Sequence, residues 1–402
     1  MTMPATRVLF VHQSSDLYGS DRVLLNIAAA LNRAGGEAIV VLPGPGPLVE
    51  ALQRRGVEVH AVGDDAVLKL SRGALSAAGL LRLAASVPHA IAALDRVAAG
   101  REIDRVHSNT LAVLGGALWS RWRRVEHVWH LHEMVERPRL AARALPALVR
   151  CFADHAVCNS QATQDWLLAA QPSPARRARV IRNGIEDRFV VPWPPPIELK
   201  QAFRPSGARL AIGLVGRINR MKGHALLLDA GERLHAHGRR DFSLVFIGSA
   251  PPGQEHFEAS LRERIAGSPL APRVVLQGFM PEVAAAYAAL DIVCVPSTEA
   301  EAFGLVAVEA MAARRPVVAA RIGGLPEVVD HGRTGLLHAP GDAADLAQHV
   351  DRLLDDDACR DIFGLAGRHR FENEFTVRAL TERFLDLYRQ PRRQAPGLRS
   401  AW

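Results

Sequence analysis

Short β-branched runs and longer stretches with apolar residues at helical spacing alternate along almost the whole chain. Residues 7–12 open it as a strand. Residues 21–34 carry Val23, Leu24, Ile27 and Leu31 on one helical face and stop at Gly35 and Gly36, a residue type that ends helices. Residues 38–42 and 57–62 read as strands. An alanine-rich helical region follows over 74–98, which Pro88 is expected to kink or divide. Residues 105–107, 127–131, 155–158 and 179–182 complete a first series of strands, with helical patterns between them. Strands joined by crossover helices predict a parallel sheet covered on both faces.

At Val191 the pattern breaks into VPWPPP. Proline donates to neither a helix nor a sheet ladder, so this stretch reads as a stiff linker. The alternation then restarts, with strands at 210–215, 243–247, 273–276, 292–295 and 317–319. Helices are expected at 225–235, 255–265, 283–289 and 305–313, and again to Tyr388. The expected organisation is α/β throughout. A first doubly wound domain covers 1–190, a linker 191–205 and a second domain 206–375, while a helix at 376–390 returns to the first. Two such domains would face each other across a cleft, the usual place for a ligand.

Composition narrows this picture. With 49% hydrophobic and 23% charged residues, the 402-residue chain is expected to fold as two or three domains and not to be disordered. The four cysteines lie far apart without a Cys-x-x-Cys pair, which argues for buried free thiols over a disulfide framework or a zinc site. The N-terminal MTMPATRVLFVHQ lacks the layout of a signal peptide. The uncharged run over 106–120 falls short of the roughly 20 apolar residues that a membrane span needs. A cytoplasmic protein is therefore expected.

The net charge of +7 is unevenly placed. Residues 1–190 hold 23 Arg and Lys against 17 Asp and Glu, whereas residues 191–402 hold 26 against 25. Within the first half, Arg121, Arg123, Arg124, Arg137, Arg139, Arg143 and Arg150 gather around Trp119, Trp122 and Trp129. Two readings stand: a dock for an anionic membrane surface, or a solvated helical face with the tryptophans in the core. No basic run with stacking aromatics follows a recognised nucleic-acid module, so nucleic acid is not an expected partner.

Two segments of the second half carry candidate chemistry. In GLVGRINRMKGHALLLDA a strand runs into a glycine turn at Gly216 and Gly223 and then a helix, with Arg217 and Lys222 bracketing the turn. Two cations past the carboxyl end of a strand, beside a helix N-terminus, suit a diphosphate without requiring a metal. The alternative is two exposed cations near a turn. Lys222 is one of only three lysines, the others being Lys69 and Lys200, so it is not part of the general arginine excess. In PSTEAEAFGLVAVEAMAARRPVVA a strand ends, a polar turn follows and a helix is expected from Phe303 or Gly304. Glu301 then lies at the mouth of the turn and Glu309 inside the helix. Eight helical residues rise about 12 Å, the reach from a ribose across a diphosphate to a sugar. Backbone N–H groups at Phe303, Gly304 and Leu305 could meet a phosphate or sugar oxygen. Glu299 and Glu301 could instead be ordinary helix caps.

These segments resemble the retaining glycosyltransferases of family 4, which have the two-domain GT-B fold. The resemblance spans nearly the whole chain and is strongest over residues 213–335. Glu301 and Glu309 meet the Glu-x7-Glu pattern with Phe303 and Gly304 in place, and Arg217 and Lys222 match the diphosphate-binding pair. Gly323, Gly324 and Glu327 fit a Gly-Gly-x-x-Glu segment, and Asn183, Gly184 and Ile185 a strand end. The resemblance implies that Glu309 bonds the donor ribose, that Glu301 with the backbone at Phe303–Leu305 holds the donor sugar, and that Arg217 and Lys222 stabilise the leaving diphosphate. It places the nucleotide base near Gly278, Phe279 and Met280, and it implies no protein nucleophile, metal or cofactor. His132 in WHLHEM matches a histidine that contacts the donor sugar, although by itself a histidine at a strand end reads as structural. Gly19 and Ser20 stand where the family commonly has a Gly-Gly loop facing donor phosphate and acceptor, and Arg314 where a glycine usually ends the helix.

The implied activity is metal-independent transfer of a sugar from a nucleotide diphosphate donor to a hydroxyl acceptor, a lipid-linked or cell-surface glycan at the inner face of a membrane. A nucleotide-sugar epimerase or a catalytically silent nucleotide-sugar-binding protein would use the same architecture.

Overall fold

A computed structural model describes residues 6–70, 76–170, 178–189, 196–280 and 282–391. The chain forms two compact units, Met1–Gly184 with Val377–Trp402, and Ile185–Thr376. Each is built on its own sheet.

In the first unit the strands are β1 (Arg7–His12), β2 (Glu37–Leu42), β3 (Glu58–Ala61), β4 (Arg105–Asn109), β5 (Glu126–Leu131), β6 (His155–Cys158) and β7 (Ala178–Val180). They lie in the order β3-β2-β1-β4-β5-β6-β7, and every neighbouring pair is parallel. The uninterrupted apolar run of β1 follows from burial on both faces. Val8 and Phe10 enter one core with the helix Gly19–Arg33, while Leu9 and Val11 enter another with Leu94, Val97 and Trp119. The helix Val377–Arg389 belongs to this unit and supplies Leu380, Phe384, Leu387 and Tyr388 to the first of these cores.

The second unit repeats the plan with β8 (Leu210–Val215), β9 (Phe242–Ile247), β10 (Val274–Gln277), β11 (Ile292–Val295), β12 (Val317–Ala320) and β13 (Gly335–His338). Their order is β10-β9-β8-β11-β12-β13, again all parallel. Both sheets are therefore Rossmann-like and doubly wound, as the alternation predicts. In each the strand order reverses once, at β1/β4 and at β8/β11. Open sheets of this kind bind ligands at that point, beyond the carboxyl ends of the strands.

Several local expectations are corrected. Pro88 does not divide its helix, which is continuous over Ala77–Ala98. Pro88 and Ala84, whose carbonyl loses its donor, both lie on the exposed face, where water can replace the missing N–H. The strand β13, GLLH, which has no β-branched residue, and the short helix Leu325–Val328 before it, LPEV, which contains a proline, went unread. The proline-rich stretch 190–195 lies outside the described residues. Trp119 and Trp129 are core residues, while Trp122 is 65% exposed among the exposed arginines 121, 123 and 124. All four cysteines are free, and Cys151 is exposed where a buried thiol is expected. Among the described residues, no helix is long and apolar enough to cross a membrane.

Candidate functional site

The second unit's switch point is built by loops that only glycine allows to touch. After β8, Asn219 accepts hydrogen bonds from the Met221 and Lys222 N–H groups, each at 3.1 Å, and so fixes a tight turn over Arg220–Lys222. Gly223 then takes φ +75°, and a Cβ there would lie 1.9 Å from the Pro296 carbonyl oxygen after β11. Thr298 closes the two loops together, donating its N–H to Met221 O at 2.8 Å and its hydroxyl to Arg220 O at 2.9 Å. On the other side Gly323, after β12, has φ +59°, and a Cβ there would meet the Glu301 carbonyl oxygen at 2.3 Å. The Gly324 N–H donates to that oxygen at 2.7 Å. The Gly-Gly segment thus shapes the backbone of Glu301.

This stacking brings Lys222 and Glu301 together. Lys222 Nζ donates to Glu301 Oε1 at 2.7 Å, and the Ser297 hydroxyl donates to the same oxygen. Burial alone pushes the Glu301 pKa up, but the Lys222 charge and the hydrogen bonds from Lys222 and Ser297 outweigh it and hold the group below its usual range. Glu301 is therefore a carboxylate and not a helix cap; Glu299 pairs instead with Arg220. The Lys222 stem lies over Gly216, 3.7 Å from where a Cβ would stand, and Arg217 is the next residue.

The helix carrying Glu309 runs over Leu305–Ala312, with Gly304 at φ +98° as its N-cap. Its start at Leu305 agrees with the 305–313 expectation and falls just past Phe303 and Gly304, so the step from Glu301 to Glu309 is part turn and part helix. Glu309 accepts the hydroxyl of buried Tyr287 at 2.8 Å. The Phe303 side chain belongs to the core, which leaves its backbone for any ligand. Leu305 opens the helix, where N–H groups lack intrahelical partners. Past β10, the Phe279 N–H donates to Ser249 Oγ at 3.2 Å; its ring is 70% exposed, while Met280 packs on the core and Gly278 is exposed. Arg314, standing where glycine is usual, adopts φ +56°. Its N–H donates to Met311 O at 3.0 Å and that of Arg315 to Ala310 O at 2.8 Å, a complete Schellman cap.

The first unit's switch point has different chemistry. His12 at the end of β1 pairs in register with Asn109 at the end of β4. Its Nδ1 lies 2.8 Å from Asn109 O and its Nε2 2.6 Å from Asp21 Oδ1. Burial raises the Asp21 pKa, yet the bond to His12 and its charge prevail and lower it. His132, one residue past β5, places Nε2 2.9 Å from Asn109 Oδ1 and its ring 4.0 Å from that of His130. Burial first, then the nearby His12 charge, pulls His132 down to about 3, so it is neutral at pH 7. His107 and His130 are likewise held well below the usual imidazole range by burial, and half-buried Glu133 is raised by desolvation. Gly19 and Ser20 are not loop residues: they form the first turn of the helix Gly19–Arg33, because Asp21 reaches back to accept the Tyr18 N–H at 2.8 Å.

Sequence reasoning missed Ser297, Tyr287 and Asn219 in the second unit and His12, Asp21 and Asn109 in the first. The polar ends of the β1 and β4 runs were visible signals; their register was not. Among the described residues no three His, Cys, Asp or Glu side chains are grouped to hold a metal ion.

Two parallel, doubly wound units with a charged site at the second switch point place the protein in the GT-B class. The described pattern of Glycosyltransferase Family 4 matches residues 18–189, and that of Glycosyl transferases group 1 matches residues 209–356. D-inositol 3-phosphate glycosyltransferase of Pseudarthrobacter chlorophenolicus is 31% identical over 383 residues, covering 90% of this chain and 87% of its own length. The chain belongs to glycosyltransferase family 4. The 2-deoxystreptamine glucosyltransferase of Streptomyces kanamyceticus is 34% identical over 250 residues, 61% of this chain; the match spans 62% of that protein's length. The crystal structure of Anabaena Alr3699/HepE with UDP and glucose superposes with a TM-score of 0.80 at 26% identity, covering 95% of this chain and 99% of that one.

Proposed function

We propose that the protein is a retaining, metal-independent glycosyltransferase that moves a hexose from a nucleotide diphosphate sugar to a hydroxyl of a lipid-linked or cell-surface glycan. The observation that carries this reading is the Lys222–Glu301 pair, 2.7 Å apart at the second switch point, with Glu309 following in the adjoining helix. A fixed cation there meets the charge that grows on a departing diphosphate, and it is already held in place before the reaction begins. Arg217 shares this role. Glu301 and the backbone at Phe303, Gly304 and Leu305 hold the sugar, Glu309 bonds the ribose, and the base lies by Gly278, Phe279 and Met280. His132 in the first unit acts on the donor sugar. The acceptor oxygen bonds to the anomeric carbon on the face from which the phosphate oxygen departs, and the acceptor proton passes to that oxygen.

The Anabaena protein was crystallised with UDP and with UDP-glucose, which supports uridine diphosphate as the donor carrier here. The exposed Trp122 with arginines 121, 123 and 124 supports contact of the first unit with an anionic membrane surface at the cytoplasmic face.

The test is a thermal-shift panel of UDP-, GDP- and ADP-glucose, followed by product NMR and an EDTA control. UDP-glucose should raise the melting temperature most. The product should keep the donor's anomeric configuration, and EDTA should leave turnover unchanged. Inversion would overturn retention, and isomerisation of the donor without an acceptor would mark an epimerase. Binding without turnover over a broad acceptor panel would mark a silent binding protein.

A further inference from the structure

The polar groups at the first switch point determine one another's protons. The Ser20 carbonyl can only accept, so the Asn109 atom 3.2 Å from it is the amide nitrogen. The amide oxygen therefore faces His132 Nε2 at 2.9 Å, and that nitrogen must carry a proton. The anchor is fixed by the same logic. His12 Nδ1 faces the Asn109 carbonyl at 2.8 Å and must donate, which turns its Nε2 toward the Asp21 carboxylate at 2.6 Å. The Asn109 amide nitrogen passes 3.1 Å from His12 Nδ1, whose proton is already committed to the carbonyl.

The next residue, Thr110, is held at φ +109°, a conformation strained for a β-branched side chain. Its N–H donates to His130 O at 2.9 Å and its carbonyl accepts the Trp129 indole N–H at 2.9 Å, so the strained turn that sets the Asn109 backbone is pinned from both sides. Half-buried His132 lies against the His130 ring, and among the described residues its Nδ1 makes no hydrogen bond.

We propose that Asn109 is a positioning residue that holds His132 as its Nε2–H tautomer, so that the unprotonated Nδ1 is offered to a substrate hydroxyl. The inference rests on the reading of His132 as a substrate-contacting residue. A neutral imidazole with a free Nδ1 accepts from a sugar O–H; the other tautomer would present an N–H there and demand an acceptor instead.

The test is long-range proton–nitrogen NMR of the full chain labelled with ¹⁵N-histidine, with the His132 signal assigned by its loss in His132→Gln. The expected spectrum has a protonated Nε2 and an unprotonated Nδ1; an Nδ1–H tautomer or an imidazolium at neutral pH overturns the proposal without any variant having to fold. In Asn109→Leu the signal should become a tautomer mixture, and kcat for transfer from UDP-glucose should fall about tenfold or more, with KM for the acceptor little changed. An unaltered tautomer with unaltered kcat would overturn it. The spectrum needs no substrate, so a wrong tautomer leaves the transferase reading standing. A wild-type chain inert with every donor overturns that reading, and the hydroxyl-accepting role with it.

Discussion

The two switch points share one topology and use opposite electrostatics. In the second unit a cation and a carboxylate, Lys222 and Glu301, meet at 2.7 Å between loops that glycine lets stack. In the first, His107, His130 and His132 are kept neutral by desolvation beside one hydrogen-bonded pair, His12 and Asp21. The strand order supplies only the location. The chemistry comes from which residues end the strands and from how closely the loops beyond them can approach. A charged site offers fixed countercharge to an anion, whereas a neutral imidazole at the surface of the site can give or accept a directional hydrogen bond.

Removing the countercharge is the sharpest way to break this contrast. Lys222→Ala should lower kcat about 10²–10³-fold, the scale of losing one preorganised donor to a developing anion, while circular dichroism stays native. Near-normal turnover would remove Lys222 from the site. Crowding the loops comes next. Gly223→Ala should destabilise the second unit by about 3 kcal/mol, combining left-handed strain with the contact to Pro296 O, and urea titration would measure it.

Acid should separate the two units. His127 and His224 are lowered by burial to about 4, and His132 to about 3. A histidine with a depressed folded pKa binds its proton more readily when unfolded, so each should withdraw about 1.4 kcal/mol of stability per pH unit as pH falls from 6.5 toward 4. Two of these three, and also His107 and His130, lie in the first unit, which should yield first. Trp119 and Trp129 report on it directly. A shift in their emission should precede exposure of β11 in pulsed hydrogen exchange; the reverse order would refute the contrast. The smallest effect should be a gain. Arg314→Gly should stabilise the second unit by about 1 kcal/mol in the same urea titration, because glycine takes the left-handed cap without a Cβ penalty.

Much of the fold was legible because both sheets are buried on both faces, which leaves strands such as β1 and β8 as plain apolar runs between helical patterns. The strand β13 was not legible because GLLH has no β-branched residue, unlike the equally short β11 and β12. At the second site, Lys222 and Glu301 stood out by motif, yet their contact depends on Gly223, Gly323 and Thr298, whose roles exist only once the loops are stacked. At the first site, His132 was visible, but Asn109 and His12 acquire meaning from the β1–β4 register, which no single strand encodes. Gly19 and Ser20 were misread as loop because Asp21 caps backward by one turn.

The helix Val377–Arg389 gives the first unit a consequence in time. Arg105, buried in β4, donates to the Tyr388 and Gln390 carbonyls, and the Tyr388 hydroxyl lies 2.6 Å from His107 Nδ1. The half of the protein made first is therefore finished last. A ribosome releases every residue of the second unit before the first receives Leu380, Phe384, Leu387 and Tyr388 for its core. Domains ordinarily mature in the order of their synthesis; here the later domain can close while the earlier one waits for the final turns of helix, and a chain truncated near residue 376 would carry a complete second domain and an unfinished first.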